Sequence, residues 1–209
     1  MKHMNDGTSP DLETIAVREA SPFAERAHAL NALLRMGDAG KAAAVAAFQK
    51  LGKSANALRL RSEIILSFYG DKFGASDVVA LVNESLEAHD TIVVGTLDTL
   101  AEDIPVADLP VVLDGVVAPC PGDQISFDKA NWEVGRFYSR ILIRAWLSPH
   151  DSFDPGRALG WLRKDVAFQR GTSESRARDL RAAMAEAPGD LIALILQRDR
   201  ARAKVHFSR

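Results

Sequence analysis

Cysteine is nearly absent: Cys120 is the single one among 209 residues. A disulfide framework and a cysteine-built zinc site are therefore excluded. Cys120 lies between Pro119 and Pro121, in a turn, with no histidine near it to activate it as a nucleophile. Long apolar runs are missing too, and no window approaches the ~18 uninterrupted apolar residues that a membrane helix needs. Alternating stretches of strand length are also lacking, and the β-branched stretch at 91–94 sits between helical segments. No Gly-x-Ser-x-Gly, His-Glu-x-x-His or calcium-loop spacing occurs. Between Phe73 and Gly135 even positive charge runs out, with Lys129 its only base.

What remains is a composition of 47% hydrophobic and 26% charged residues, which suits an ordinary folded domain. The opening Met1-Lys2-His3-Met4 has no apolar stretch behind it and reads as a tag remnant rather than a secretory signal. With the polar turn formers that follow, residues 1–10 are expected to be a loose leader. Residues 11–205 are expected to form one helical-repeat domain, with 206–209 a tail and the cytoplasm as the default compartment.

From residue 11 the apolar spacing is helical almost without a break. Ser21 with Pro22 behind it reads as a helix cap, Ala24, Ala27, Leu30, Leu33 and Leu34 mark one face, and Gly37 ends the helix. Shifted by 33 residues, Ser21, Ala24, Arg26, Leu33, Gly37 and Asp38 fall on Ser54, Ala57, Arg59, Leu66, Gly70 and Asp71. Asp77-Val-Val-Ala-Leu-Val is echoed 31 residues later by Asp108-Leu-Pro-Val-Val-Leu. A period of this length belongs to stacked helical hairpins. Five are expected: 21–36 with 40–51, 54–69 with 76–89, 91–102 with 107–118, 124–147 with 155–168, and 173–187 with 190–205.

Over roughly residues 21–118 the Gly-Asp stop and the Asp-x-x-x-Leu-Val opening resemble HEAT-like repeats, although the second helices lack the family's inner arginine. The resemblance implies an all-α, right-handed α-solenoid of about five antiparallel hairpins, used for protein–protein interaction as a scaffold, adaptor or sensor without catalysis. Trp161-Leu162-Arg163, followed by Leu180-Arg181-x-Ala183 and Leu191-Ile192-Ala193-Leu194, is similar to helical regions of large bacterial signalling NTPases, which implies a piece or relative of a longer protein.

The net charge of −2 conceals a strong asymmetry. Residues 73–135 carry twelve acids against one base, whereas 136–209 carry fifteen bases against eight acids. Exposed ion pairs contribute only about 0–1 kcal/mol each, so stability alone does not call for such a split. In the expected helix 124–147, Val134, Phe137, Tyr138, Ile141, Ala145 and Trp146 form an apolar stripe. Arg136, Arg140 and Arg144 recur at four-residue steps on another face, where they repel one another unless something anionic lies alongside. A neighbouring acidic helix, a partner's acidic segment or a phosphate would serve. These arginines, with Trp132, are the candidate docking residues, and the acidic helices within 76–118 are the second candidate surface. No cofactor or metal is expected.

Three other chemistries have partial counterparts among the residues. Gly52-Lys53-Ser54 resembles the tail of a phosphate loop, but Ala47 stands where its first glycine belongs and Ser54 reads as a helix cap. His28, His89 and Asp90, with Asp128 or Asp151, resemble the ligand set of HD-type metal phosphohydrolases, which is the enzymatic alternative. The flanking residues differ from that family, and a helix end followed by a cap already accounts for His89-Asp90. HEAT-like nucleic-acid binding is the third reading. The acidic middle and a sequence pI near 6.2 argue against it.

Overall fold

Two glycines with left-handed backbone, Gly37 (φ 64°) and Gly70 (φ 81°), punctuate the first half of the chain at the 33-residue spacing. The computed structural model describes residues 8–89, 96–118, 129–148 and 155–168, which divide into two compact units between Thr96 and Leu97. Every regular element among them is helical, so the fold is all-α. None of the described helices is long and apolar enough to cross a membrane. The expected hairpin at 173–187 and 190–205 lies outside the described residues, as do Cys120 and segment 91–94.

The first unit contains α1 (Ser9–Val17), α2 (Phe23–Arg35), α3 (Gly37–Lys50), α4 (Ala55–Ser67) and α5 (Ala75–Glu87). Helix α1 precedes the first expected hairpin and begins inside the stretch read as leader, with Pro10 in its first turn where a missing N–H costs nothing. It packs on both α2 and α3. Alanines 43, 44 and 47 are buried on α3, and such small side chains let neighbouring helices approach closely. Helix α4 packs on α5 through a core that includes Leu58, Ile64, Ile65, Val78, Leu81 and Val82.

Three local expectations are corrected. Ser21 does not cap α2: its N–H donates to Arg18 O at 3.0 Å in the turn leaving α1, and Pro22 takes the cap position. The buried face of α2 is Arg26, Ala29, Leu30 and Leu33 rather than the stripe beginning at Ala24. Alanine exerts too little apolar pull to fix a helix's rotation, and Arg26 turns inward to bond the end of α1. Gly37 does not precede a loop; α3 begins at Gly37 itself, with Asp38 in its first turn, where an acid suits the helix N-terminus. Ser54 does cap α4, its Oγ accepting from Ala57 N at 3.4 Å.

The second unit begins within α6 (Thr96–Asp103), followed by a 3-10 turn (Val106–Asp108), α7 (Leu109–Gly115), α8 (Lys129–Leu147) and α9 (Pro155–Phe168). Helix α8 packs on α7 and α9. Its apolar stripe, Val134, Phe137, Tyr138, Ile141, Ala145 and Trp146, is fully buried as the spacing predicts. Tyr138 meets Phe168 of α9 with ring centroids 5.5 Å apart.

Candidate functional site

The arginine ridge of α8 runs beside the acidic helix α6. Four-residue steps along a helix drift slowly around its axis, so Arg136, Arg140 and Arg144 address successive points of one neighbour. Arg136 grips Asp98 with two donors, Nε reaching Oδ1 at 3.3 Å and Nη2 binding Oδ2. Arg140 Nη1 lies 3.1 Å from Asp98 Oδ1 and 3.9 Å from Glu102 Oε1. Arg144 donates to the Ala101 carbonyl in the last turn of α6, where a cation meets the negative end of the helix dipole. The Arg136 guanidinium also stacks over Trp132, 5.3 Å from the ring centroid.

Three guanidiniums thus share two carboxylates and one carbonyl. Arg140 is held least tightly: it is 42% exposed, and Glu102, the more distant of its acids, is 75% exposed. The four residues singled out from the sequence are brought together on one stretch of α8, and the neighbouring acidic helix supplies their anions. Trp161, by contrast, is buried and donates Nε1–H to Asp114 Oδ1 at 2.6 Å.

A second polar cluster gave no local signal. Asp114, counted in the sequence only as one of twelve acids, receives Arg157 and Trp161 from α9. Partial burial pulls its carboxyl upward, but the bonds from Arg157 and Trp161, with the charges of Arg157 and Lys164, outweigh that and hold it below its ordinary 3.8. Lys164 Nζ donates to the carbonyls of Leu113, Asp114 and Val116 at 2.5–3.1 Å, closing the end of α7. Tyr138 donates to Leu113 O at 3.1 Å. Burial, reinforced by Asp165 and Asp114, pushes its phenol far above the usual range. The Ser139 hydroxyl bonds the buried Asp165 carboxylate. These partners sit roughly 25 to 50 residues apart, on different helices, and no short motif connects them.

The residues of the other chemistries lie apart. His28 is exposed on α2, and His89 is exposed just beyond α5 with a left-handed φ of 52°, the backbone of a helix terminator. Asp90, Asp128 and Asp151 lie outside the described residues, as do the bases from Arg170 onward that a nucleic acid would need. Among the described residues, no group of three or more His, Cys, Asp or Glu side chains could hold a metal ion. Glu84 of α5 takes Arg61 and, at 3.6 Å, Lys53, so this acid is engaged by cations. Gly52-Lys53-Ser54 follows a helix, not the strand a phosphate loop requires. Compared with family models, curated proteins and solved structures, the chain matches none.

Proposed function

We propose that the chain is a HEAT-like helical-repeat module, a solenoid of antiparallel hairpins working in the cytoplasm. In this reading it binds a partner protein through charged helix faces and has no catalysis of its own. Trp132, Arg136, Arg140 and Arg144 are its docking ridge. One observation carries the reading: among the described residues, three arginines on the ridge share two carboxylates, and the loosest of them is half-exposed. An acidic segment of a partner could take Glu102's place at Arg140 without disturbing the Arg136–Asp98 grip. The left-handed glycines at 33-residue spacing support the repeat part of the reading.

The test places a photo-crosslinking residue at position 143, beside the ridge, in an otherwise unaltered chain and in the Arg140→Glu variant. The expected result is one stoichiometric protein adduct that Arg140→Glu abolishes while the melting temperature holds. Lower stability with the adduct intact makes the ridge structural and defeats the assignment. Divalent-metal-dependent phosphohydrolysis lost in His89→Ala and Asp90→Ala would overturn the non-catalytic reading. Small-angle scattering of a compact globule rather than a curved rod would overturn the solenoid.

A further inference from the structure

Arg26 is the most deeply buried cation among the described residues, at 2% exposure. Its Nε donates to Ala16 O at 2.9 Å, at the C-terminal end of α1, and its Nη2 has no hydrogen-bond partner. Buried charges are ordinarily paired and buried donors ordinarily satisfied, so one backbone carbonyl is an incomplete partner for this guanidinium. The Nε and Nη2 hydrogens point the same way, and the two oxygens of a carboxylate accept both at once. A peptide carbonyl fills only one of the two positions.

Few polar ties hold the group above Arg26, which is seated chiefly by packing on α2 and α3. Helix α1 has nine residues, fewer than the ~12–15 at which a helix begins to stand alone in water, so its structure depends on the seat it occupies. Beyond packing, it is tied by the Arg26 bond and by the ion pair of Glu13 with the well-exposed Lys50, a class of contact that contributes little. Because α1 lies along both α2 and α3, the seat is already shaped for a helix.

We propose that the groove between α2 and α3 is a docking site for a partner protein's helix that presents a carboxylate at its C-terminal end, and that α1 is the weaker intramolecular occupant of the same seat. The incoming carboxylate satisfies both free positions on Arg26, and α1 swings out on the Arg18–Pro22 link. This site is separate from the α8 ridge and does not rest on it.

The probe is a fluorescein-labelled peptide with the sequence of residues 8–16, made once with a free C-terminal carboxylate at Ala16 and once as the amide. Each is titrated by anisotropy against the full chain and against Glu13→Lys, which loosens α1. The free acid is expected to bind saturably, about tenfold tighter than the amide, and tighter still to Glu13→Lys. Arg26→Gln removes the preference, whereas Arg140→Glu leaves it unchanged. Equal binding of acid and amide, or no saturable binding to either protein, overturns the proposal. Native-state hydrogen exchange on the unaltered chain keeps the test independent of how Arg26→Gln folds: α1 amides should exchange at least about a hundredfold faster than those of Leu30 and Leu33. If α1 opens only with global unfolding, the seat is never vacated and the proposal fails. Concentration-dependent dimers that trade α1 between copies would assign the groove to a second copy instead of a partner protein.

Discussion

The two units end their helices in different ways. In the first, the backbone does most of the work: left-handed residues follow α2, α4 and α5 at Gly37, Gly70 and His89. In the second, cations sent from distant helices close the ends, Arg144 on Ala101 O and Lys164 on the last carbonyls of α7. No residue described in that unit has a positive φ. A turn-based stop is local and depends on a few consecutive residues. A cation cap spans more than forty residues of sequence and ties the closure of one helix to the docking of another. The second unit should therefore lose helix ends and tertiary packing together, while the first can fray at one end without the rest.

The sharpest way to break this contrast is Lys164→Met, which keeps the aliphatic stem but strips a donor from three carbonyls. It should cost about 2–3 kcal/mol, read by urea unfolding with tryptophan emission. All three tryptophans belong to the second unit, so they report on it directly. In the first unit, Gly37→Ala or Gly70→Ala should cost about 1–2 kcal/mol, the penalty for placing a Cβ in left-handed backbone. His89→Gly should gain up to about 1 kcal/mol for the converse reason. Capping differs between the two serines that lie 33 residues apart. Ser54→Ala should cost about 1 kcal/mol, whereas Ser21→Ala, which removes no cap, should stay within about 0.5 kcal/mol of the parent.

The smallest effect concerns acid. Asp114 has a folded pKa below its unfolded value, so its contribution is present above about pH 4 and is lost as pH falls through the folded value. Asp114→Asn should flatten the acid limb of melting temperature against pH. Because Asp114 is nearly half exposed, the change should be modest. If the limb is unchanged, the Arg157–Trp161–Asp114 cluster contributes nothing to acid stability.

The same contrast explains what the sequence made legible. Helix type in the described elements, the stripe of α8, the Ser54 cap and the 33-residue glycine spacing all follow from residues close to one another along the chain. Gly37 and Gly70 were visible because a left-handed terminator has a strong residue preference. The arginine ridge was visible as a spacing, and an acidic neighbouring helix was the internal partner it required. Asp98, Glu102 and the Ala101 carbonyl could not be chosen individually, because their pairing depends on how α6 and α8 are offset. Ser21 misled because a capping residue type says nothing about backbone angle, and the turn from α1 places that angle one residue further on. Arg26 was hidden for a related reason: arginine reads as a polar face position, and only the packing of α1 turns it inward. The Lys164 cap and the Ser139–Asp165 pair left no trace in any local pattern.

The stops at Gly37 and Gly70 carry a consequence for chirality. A Cβ built on either glycine meets nothing within 4 Å, so the space there is open and only the backbone angle resists an ordinary side chain. A mirror-image residue prefers that angle. D-alanine introduced at position 37 or 70 by chemical ligation should fit without displacing a neighbour. It should raise stability by about 0.4–1 kcal/mol by narrowing the unfolded chain's freedom. What these two positions select is handedness, not size.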